Sequence, residues 1–595
     1  MSTAINSIDP RALVGSVLEY ARLNGPNILE RVKPFDEWRQ IRTQAGVWPF
    51  SRVILQAPGP DMEIANELGC TWRGVSLACQ DYLGLTSHPA ILEAAVRAIR
   101  DFGPHSAGSP VLAGNTTLSL QLEKALAEAL QSDHVILFPT GWAAAYAAIA
   151  GLVRPDDHVV IDQLAHASLH QGVQASTLKI HRHAHLDTEA VRKLLRDIRA
   201  EDTRNGIMVV TEGLFSMDSD VPDLNKLQEV CTEFGATLLV DVAHDFGELG
   251  PRGGGSIAIQ GLLGKVDLVM GSFSKTFASN GGFIATRSES VRQYLKAYGN
   301  PHTFSNALSP VQSAVVLTAL EIVRSAAGDR LRAELMNNSV HLRGELEMRG
   351  VRCIGSPSAI VPGHIGNEAV ARIAWSKAQK QGVHANLVEF PAVAVGSARF
   401  RMQLMPSHTK EQLTKTAEII STVITEAQTL VNGMELPKRR RLNMQNGDFD
   451  YSIARKALPE LTKTDLNKII ERSGTENILA GTTLINAGVN PGSLLVIIQG
   501  NVQVETDYHG QSLILAECGA GQIIGEMALI DGQGASASVV ASTDVEIARI
   551  SHRDLQQLCK SDPAFGMHLY QSLAVILAQR LRKANAQIAP TAHFE

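Results

Sequence analysis

The chain has 595 residues and a formal net charge of −6, from 54 Lys and Arg against 60 Asp and Glu. This balance gives no general electrostatic reason to expect a nucleic acid as partner. With 45% hydrophobic and 19% charged residues, the composition is typical of a folded protein and argues against disorder. The length predicts more than one domain. Six cysteines without a CxxC pair exclude a disulfide scaffold and a zinc–cysteine site, and suit a reducing cytoplasm.

The N-terminal residues contain no basic segment followed by a long apolar core, which argues against a secretory signal. Residues 135–153 are uncharged, but Pro139 and Gly141 interrupt them, and a membrane-spanning helix needs about 20 continuous residues. We therefore expect a buried strand, a turn and a buried helix there, and no membrane span.

From about residue 130, short β-branched segments alternate with stretches of helical periodicity. Most of these segments are apolar without strict alternation, as expected for strands covered on both faces. Such βα repeats predict a mostly parallel, doubly wound sheet. The predicted strands are residues 134–138, 158–162, 206–213, 237–244, 267–275 and 283–286.

Polar residues gather where these predicted strands end. Ligands bind outside the carboxyl ends of the strands in open α/β sheets, so this clustering predicts a site. The residues are Asp162, Glu212, Asp241, His244 and Lys275.

Further along the chain, composition shifts mark other parts. Residues near 310–330 predict a long helix, and 330–430 a smaller α+β unit. The basic run Lys438–Arg441 lies in a polar linker, and we interpret it as solvated rather than as a binding patch. Between 478 and 550, short strands broken by Gly, Asn and Asp predict an all-β barrel or sandwich, and 551–587 returns to helix.

The chemistry depends first on Lys275, which follows an apolar strand among small hydroxyl residues. Partial desolvation lowers the pKa of a lysine amine and makes it a nucleophile toward an aldehyde. A carboxylate at Asp241 can keep a pyridine nitrogen protonated, as pyridoxal phosphate (PLP) requires to act as an electron sink. His244 is placed to reach the phenolic oxygen of that ring, and His166 to stack on its face. Each residue alone has an ordinary structural explanation, but together they predict a PLP site.

Motifs over about residues 75–425 resemble the α-oxoamine synthase family of fold-type-I PLP enzymes. This family includes aminolevulinate synthase, serine palmitoyltransferase, 8-amino-7-oxononanoate synthase and aminoketobutyrate ligase. Each motif alone is weak, but so many in one order are specific. They are Gln80–Leu85 with His88–Pro89, Gly114 with Leu122–Glu123, Thr140–Trp142, Asp162 with His166–Ser168, Thr211–Asp218, Asp241 with His244, Ser274–Lys275, Phe304–Leu308, and Phe390–Val393 with Ala398–Arg401 and His408–Thr409.

The resemblance implies a role for each cofactor residue. Lys275 would hold PLP as a Schiff base and move the α-proton, Asp241 would pair with the pyridinium nitrogen, and His166 would stack on the ring. His244 and Ser216 would bond the phenolic oxygen. The phosphate would lie on a helix start with added hydroxyls, at Thr140, Gly141, Trp142, Ser272 and, contributed by a partner subunit, Ser305.

The same resemblance implies the substrates and a homodimer with shared active sites. Arg401 matches the arginine that grips the amino-acid carboxylate, and Asp81 and Ala392 are the other predicted substrate residues. An amino acid would condense with an acyl thioester, on CoA or a carrier protein, and lose carbon dioxide to give an α-amino ketone. The alternatives are an aminotransferase or decarboxylase of the same fold, or a non-catalytic PLP or nucleotide sensor.

Some positions depart from the family pattern. Val242 stands where the family often has Glu, and Ser119 where a His commonly precedes Leu-Glu. The loop 103–110, expected near the substrate, also differs from familiar members and leaves the choice of amino acid open. The segment Gly46–Phe50 resembles members of polyketide or lipid pathways, which suggests a carrier-bound or long acyl donor.

Residues from about 461 to 586 resemble a cyclic-nucleotide-binding domain, most clearly in Gly525–Glu526 and the residues around them. In that family Glu526 would accept from the ribose 2′-hydroxyl, and an arginine nine residues later would neutralise the cyclic phosphate. This chain has Ala535 there, followed by Ser536, and no Lys or Arg between Gly525 and Arg549. We therefore expect weak or absent nucleotide binding and a role in regulation or assembly.

The predicted fold class is therefore α/β, a fold-type-I PLP-dependent transferase with a small α+β subdomain, followed by an all-β cyclic-nucleotide-binding-like barrel with flanking helices. The predicted boundaries are 1–75 (N-terminal extension), 76–310 (PLP-binding large domain), 311–432 (small subdomain), 433–455 (linker) and 456–595 (cyclic-nucleotide-binding-like domain).

Overall fold

The computed structural model describes residues 8–21, 23, 25–437, 451–508 and 511–588. It divides the chain into two compact units, Met1–Arg439 and Arg440–Glu595. The basic run Lys438–Arg441 and most of the predicted linker lie outside the described residues. The finer predicted boundaries stay predictions.

The strands of the first unit, in chain order, are β1 (Val53–Ile54), β2 (Asp61–Ala65), β3 (Thr71–Leu77), β4 (His134–Phe138), β5 (His158–Asp162), β6 (Ile180–His183), β7 (Ile207–Glu212), β8 (Thr237–Asp241), β9 (Leu268–Ser272), β10 (Gly282–Thr286), β11 (Ile360–Gly366), β12 (Val383–Val388) and β13 (Ala398–Gln403). Its helices are α1 (Lys33–Gln44), α2 (Pro89–Phe102), α3 (Thr117–Leu130), α4 (Gly141–Ala150), α5 (Ala167–Ser176), α6 (Thr188–Glu201), α7 (Leu224–Phe234), α8 (Gly255–Ile259), α9 (Glu289–Tyr298), α10 (Asn300–Thr303), α11 (Pro310–Arg324), α12 (Ala326–Met348), α13 (Glu368–Lys380) and α14 (Lys410–Asn432).

The large sheet has the strand order β4-β10-β9-β8-β7-β5-β6 among the described residues. Strands β5 to β9 pair in parallel, and β10 pairs antiparallel with both β4 and β9. Every residue of β5 and β7 is buried, as expected for strands with helices on both faces. The predicted mostly parallel, doubly wound sheet is therefore confirmed. Strand β6 was not predicted, because it is an edge strand with three polar residues in its four positions.

The smaller sheet of the first unit has the order β1-β2-β3-β12-β13-β11. The helix predicted over 310–330 is two helices, α11 and α12, which meet at Ser325. The hydroxyl of Ser325 accepts hydrogen bonds from the N–H groups of Ala327 and Gly328, so it starts the second helix where the first one ends.

The second unit is built from two four-stranded antiparallel sheets, with helices before and after them. This confirms the predicted all-β domain with flanking helices. Its strands are β14 (Gly474–Ile478), β15 (Thr483–Ile485), β16 (Ser493–Gln499), β17 (Val502–Tyr508), β18 (Gln511–Cys518), β19 (Ile523–Ile524), β20 (Ser538–Ala541) and β21 (Val545–Ser551). Its helices are α15 (Tyr451–Ala457), α16 (Lys463–Ile470), α17 (Glu526–Asp531), α18 (His552–Ser561) and α19 (Pro563–Ile588).

The uncharged segment 135–153 forms β4, a turn and the buried helix α4, as predicted. Across the described residues, no single helix combines the length and the apolar composition that a membrane span requires. One bent pair, α11 with α12 at 77°, meets that test only jointly.

Candidate active site

Four neighbouring strands of the large sheet end in polar side chains at one edge. These are Asp162 on β5, Glu212 on β7, Asp241 on β8 and Ser272 on β9. The three carboxylates are buried. Lys275 follows β9 by three residues, so it lies at this same edge. The structure therefore places the predicted site at the carboxyl ends of the parallel strands.

The amine of Lys275 lies in the field of Asp241, Glu212 and Arg401. Burial lowers its pKa below the usual lysine value, and the two carboxylates oppose that shift. Burial raises the pKa of Asp241, and the nearby Lys275 opposes this rise. The pair thus combines an amine that gives up its proton more easily than usual with a buried carboxylate.

His244 is buried behind this pair and hydrogen-bonds Tyr82. Its Nδ1 lies 2.9 Å from the hydroxyl of Tyr82. Burial first, and then Lys275 and Arg401, lower the pKa of His244 well below its ordinary value, so the ring is neutral. Burial also raises the pKa of Tyr82 to about 12. Two neutral groups joined by one hydrogen bond fix the orientation of the His244 ring.

His166 begins α5 as its N-cap residue. Its ring Nδ1 accepts a hydrogen bond from the backbone N–H of Ser168, 3.3 Å away. The backbone N–H of His166 donates to Glu212 Oε1 at 2.7 Å. The ring meets Trp142 edge to face, with centroids 6.0 Å apart. Burial lowers the pKa of His166, which leaves a neutral ring at the mouth of the site.

The start of α4 lies directly beside the end of β9. Thr140 caps this helix by accepting from the N–H of Ala143 at 3.0 Å. A Cβ at Gly141 would lie 2.5 Å from the Cβ of Ser272, so only glycine permits this approach. The first N–H groups of a helix have no partner inside it. The N–H groups of Gly141 and Trp142 and the hydroxyl of Ser272 are therefore grouped as an anion site requires.

Arg401, on β13, adds hydrogen-bond donors near Lys275 that lack an acceptor among the described residues. Its side chain is buried, and its Nε and Nη2 have no hydrogen-bond partner among the described residues. The positive charge of the guanidinium lowers the pKa values of Lys275, His166 and His244, so it lies close to these three residues. Buried N–H groups without a partner are costly, and a carboxylate is the ligand that would satisfy them.

The positions of the other predicted site residues do not by themselves assign them a role. Asp81 lines the cavity of about 460 Å³ that contains Lys275. Its two carboxylate oxygens already accept from the N–H groups of Leu85 at 2.8 Å and Thr86 at 2.9 Å. Three more lie in loops: Ser216 and Ser305 are half-buried, and Ala392 is exposed. Their cofactor and substrate roles stay predictions.

A second layer of charges holds the loop that carries Ser216. His185 contacts Asp162 through Nδ1, at 3.0 and 3.1 Å, and Asp220 through Nε2 at 3.1 Å. Burial opposes protonation of His185, but the hydrogen bonds to the two carboxylates raise its pKa to about 9. Arg399 pairs with Asp218 in the same loop. Ligand atoms of His185, Asp218 and Asp220 lie within 4.8 Å of one another.

Comparisons with known proteins agree with this geometry. Residues 73–420 match the family model for class I and II aminotransferases. The chain belongs to this PLP-dependent family, and within it to the α-oxoamine synthases, which are acyltransferases. It is 35% identical over 393 residues to 8-amino-7-oxononanoate synthase of Geotalea daltonii, covering 66% of this chain and 98% of that protein. It is 31% identical to serine palmitoyltransferase of Sphingobacterium spiritivorum, covering 67% of this chain and 97% of that protein.

Solved structures give the same result. The Sphingomonas wittichii serine palmitoyltransferase superposes with a TM-score of 0.63 and 28% identity, covering 68% of this chain and 99% of that one. A serine palmitoyltransferase with PLP as its internal aldimine also gives 0.63, at 27% identity and with the same coverage. The predicted family, fold class and cofactor are thereby confirmed.

The α-oxoamine synthase site fits PLP on observations of its own. The glycine-dependent approach of α4 to Ser272 leaves helix N–H groups free for a phosphate. Lys275 provides an amine and Asp241 a buried carboxylate in its field. Two residues that sequence reasoning did not assign, Tyr82 and Glu212, also belong here, because they hold His244 and His166. In the sequence, Glu212 stands at a predicted strand end, and both residues lie in motifs that resemble the family, Gln80–Leu85 and Thr211–Asp218.

Residues 475–562 match the family model of the cyclic nucleotide-binding domain. Gly525 has φ 86°, and a Cβ there would lie 2.6 Å from the carbonyl oxygen of Ser493. The buried carboxylate of the next residue, Glu526, pairs with Arg580 of α19, which also donates to the carbonyl of Ile523. Ser536 is exposed, and Ala535 is half-buried. The carboxylate predicted to meet a ribose is thus already paired within the unit.

Proposed function

We propose that this α-oxoamine synthase condenses a small amino acid with an acyl thioester, on CoA or a carrier protein, and releases carbon dioxide, free thiol and an α-amino ketone. The observation that supports this most is Arg401. In the described part of the chain, Nε and Nη2 of its buried guanidinium have no hydrogen-bond partner, and its charge lowers the pKa of Lys275. These two nitrogens offer a bidentate site for a carboxylate. An enzyme that condenses before it decarboxylates must hold the carboxylate in place until the new bond has formed.

The residues of the chain divide the work. Bound PLP supplies the electron-withdrawing ring that stabilises the negative charge left at the α-carbon. Lys275 would hold the cofactor and move the α-proton at its Nζ, and its lowered pKa makes that amine a usable base. Asp241 would keep the pyridine nitrogen protonated, and His166 would lie against the ring face. The start of α4, with Ser272, would hold the phosphate.

His244, held by Tyr82, would orient the phenolic oxygen of the cofactor. Because His244 is neutral and hydrogen-bonded by Tyr82, it presents its remaining ring nitrogen in a fixed direction. We assign that nitrogen, with the hydroxyl of Ser216, to the phenolic oxygen of the cofactor. Asp81 and Ala392 complete the proposed substrate contacts.

A homodimer is part of this proposal. The loops at 108–109 and 303–307 are joined by hydrogen bonds from Ala307 N to Gly108 O (2.9 Å) and from Ser109 Oγ to Thr303 O (2.7 Å). Two large apolar side chains on or next to these loops are exposed: Leu112 to 84% and Phe304 to 83%. A second copy would cover this surface and bring its Ser305 to the phosphate. Sedimentation of the parent and of a Leu112→Ser, Phe304→Ser variant tests this, with dimer and monomer expected.

The decisive experiment mixes the holo-protein with glycine, alanine or serine, carboxyl-labelled with carbon-13, and an acyl-CoA. We expect one of the amino acids to shift the cofactor absorbance, with free thiol and labelled carbon dioxide released in equal amounts. An aminotransferase would release neither, and a simple decarboxylase would release carbon dioxide without consuming thioester. Either result would reject the proposed reaction.

For the second unit we propose a regulatory or assembly role without tight nucleotide binding. Two features support this: Ala535 replaces the phosphate-neutralising arginine, and Arg580 already pairs with Glu526. Isothermal titration of the full chain with cyclic AMP and cyclic GMP tests it. A submicromolar affinity for either nucleotide would contradict the proposal.

A further inference from the structure

Two loops at the carboxyl edge of the large sheet carry side chains that we assign to the cofactor ring. The first, which we call the His166 loop, comprises residues 163–166 and follows β5. The second, the Ser216 loop, comprises residues 213–220 and follows β7. The ring would lie against His166 and accept a hydrogen bond from Ser216. The separation of the two loops therefore determines how the ring is held.

His185, in the loop after β6, contacts a carboxylate at each of these loops. Its Nδ1 lies 3.0 and 3.1 Å from the two carboxylate oxygens of Asp162, which immediately precedes the His166 loop. Its Nε2 lies 3.1 Å from Oδ2 of Asp220, the last residue of the Ser216 loop. An imidazole donates from both nitrogens only when it is protonated. A single positively charged ring thus joins the two loops.

Asp162 links His185 to the turn that ends at His166. Its side chain is 1% exposed, and its carboxylate accepts from the N–H groups of Leu164 at 2.8 Å and Leu186 at 3.0 Å. Removing one partner of a buried charge pair leaves the other charge uncompensated. Loss of the His185 cation should therefore disturb the turn that presents the ring of His166.

Asp220 and Phe215 link His185 to Ser216. The N–H of Phe215 donates to the carbonyl of Asp220 at 2.9 Å, so residues 215–220 form a closed turn. The ring of His185 also meets the ring of Phe215 edge to face, with centroids 4.5 Å apart. His185 therefore contacts both residues that close the turn, and Ser216 directly follows one of them. A displacement of His185 should move the hydroxyl of Ser216.

His158 makes a comparable contact at the other end of β5. It is the first residue of that strand, whereas Asp162 is the last. The Nε2 of His158 lies 3.1 Å from Oδ2 of Asp202, which follows α6 and belongs to neither loop. The two histidines thus contact carboxylates at opposite ends of one strand, and only the contact of His185 involves the loops at the site.

We propose that His185 is a positioning residue for the cofactor: it fixes the separation of the His166 loop and the Ser216 loop, and so holds the pyridine ring in one orientation between them. It acts through these loops, and the inference rests on the roles proposed above for His166 and Ser216. A histidine that supports only the fold would change the stability of the protein and leave the bound ring unchanged.

Cofactor binding tests this without turnover. The full chain, freed of cofactor, is titrated with PLP at pH 7, with absorbance reporting binding and visible circular dichroism reporting the orientation of the ring. His185→Gln should raise the Kd for PLP about tenfold and lower the dichroism per bound cofactor. The loss should be partial, because Arg399 still pairs with Asp218 of the Ser216 loop. His185→Lys, which keeps a cation between the two carboxylates, should recover part of it.

His158→Gln, the same change at the other end of β5, is the matched control. It should lower the stability but keep the Kd and the dichroism of the parent. Asp220→Asn is a milder variant that preserves the shape of the side chain, and it should raise the Kd about threefold even if His185→Gln does not fold.

An unchanged Kd and dichroism in both His185→Gln and Asp220→Asn would overturn the proposal. So would an equal loss of PLP affinity in His158→Gln and His185→Gln, because cofactor binding would then follow overall stability.

Two results separate this proposal from the proposed function. If Ser216→Ala weakens PLP binding and His185→Gln does not, the cofactor contact stands and the positioning role is refuted. If both His185→Gln and Asp220→Asn weaken PLP binding as expected, but the parent releases no thiol with any amino acid, the positioning role stands and the condensation fails.

Discussion

Two ligand-site motifs of this protein differ in whether their buried charged groups are paired within the chain. At the Lys275 site, two nitrogens of the buried Arg401 guanidinium have no hydrogen-bond partner among the described residues. The helix start beside Ser272 presents N–H groups that have no acceptor within that helix. In the second unit, the carboxylate of Glu526 is equally buried but is paired with Arg580. The first motif leaves polar groups available to a ligand, whereas in the second Arg580 already pairs with the carboxylate of Glu526.

We propose that this difference reflects a retained motif that has changed its use. An unpaired buried polar group costs stability, so it persists where a ligand satisfies it. Under the proposed function, Ala535 stands in place of the phosphate-binding arginine, and Arg580 stabilises the buried Glu526 without a ribose.

Lys275→Ala should have the largest effect. Removing the amine that holds the cofactor and moves the α-proton should lower the rate of thiol release by about 10³-fold or more. Reduction with borohydride followed by mass spectrometry should find cofactor on Lys275 in the parent only. Lys265→Ala, at an exposed lysine, should match the parent. Undiminished activity of Lys275→Ala would refute the assignment.

Arg401→Gln should raise the KM for the amino acid about ten- to a hundredfold, because charge-assisted hydrogen bonds to its carboxylate are lost. The KM for the acyl thioester should change far less. Arg401→Lys should recover part of the loss, since it keeps the charge but not the bidentate geometry. A change confined to the thioester KM would place Arg401 elsewhere in the site.

Nucleotide binding should be recoverable in the second unit. Ala535→Arg combined with Arg580→Gln should raise the affinity for cyclic AMP about ten- to a hundredfold over the parent, as measured by calorimetry. Ala535→Arg alone should gain less, because Glu526 stays paired. Equal gains from the single and double variants would show that the Arg580 contact does not compete with the nucleotide.

Arg580→Ala should destabilise the second unit by about 1–2 kcal/mol, because it leaves the buried carboxylate of Glu526 unpaired. Adding Glu526→Gln should restore part of that stability. Urea unfolding of the full chain measures both effects. Arg582→Ala, at an exposed arginine of the same helix, is the control.

His185 should give the smallest and most pH-dependent effect. Its pKa is raised from 6.5 to about 9 in the folded state, so the stability it contributes is complete below pH 6.5 and is lost as pH rises through 9. We expect His185→Gln to lower Tm by about 2–4 °C at pH 6 and to match the parent near pH 10. A pH-independent difference would contradict the protonated His185 contact.

The sequence predicted most of the fold because its signals are local. Apolar runs such as those of β5 and β7 follow from burial on both faces, and Lys275 and Asp241 follow from their places after such runs. The edge strand β6 lacks an apolar run, and the break at Ser325 depends on one hydroxyl, so neither was predicted. The local pattern of apolar residues indicates neither the edge strand β6 nor the helix break at Ser325.

The sequence by itself determined the family, the cofactor and the absence of an arginine at position 535, because each depends on residue type at a fixed spacing. Only the tertiary structure decided which charged groups have partners. His185 contacts Asp162 and Asp220 from a separate loop, and Arg580 reaches Glu526 from the last described helix. Whether a buried charge is satisfied depends on such distant contacts, because electrostatic interactions act through space rather than along the chain.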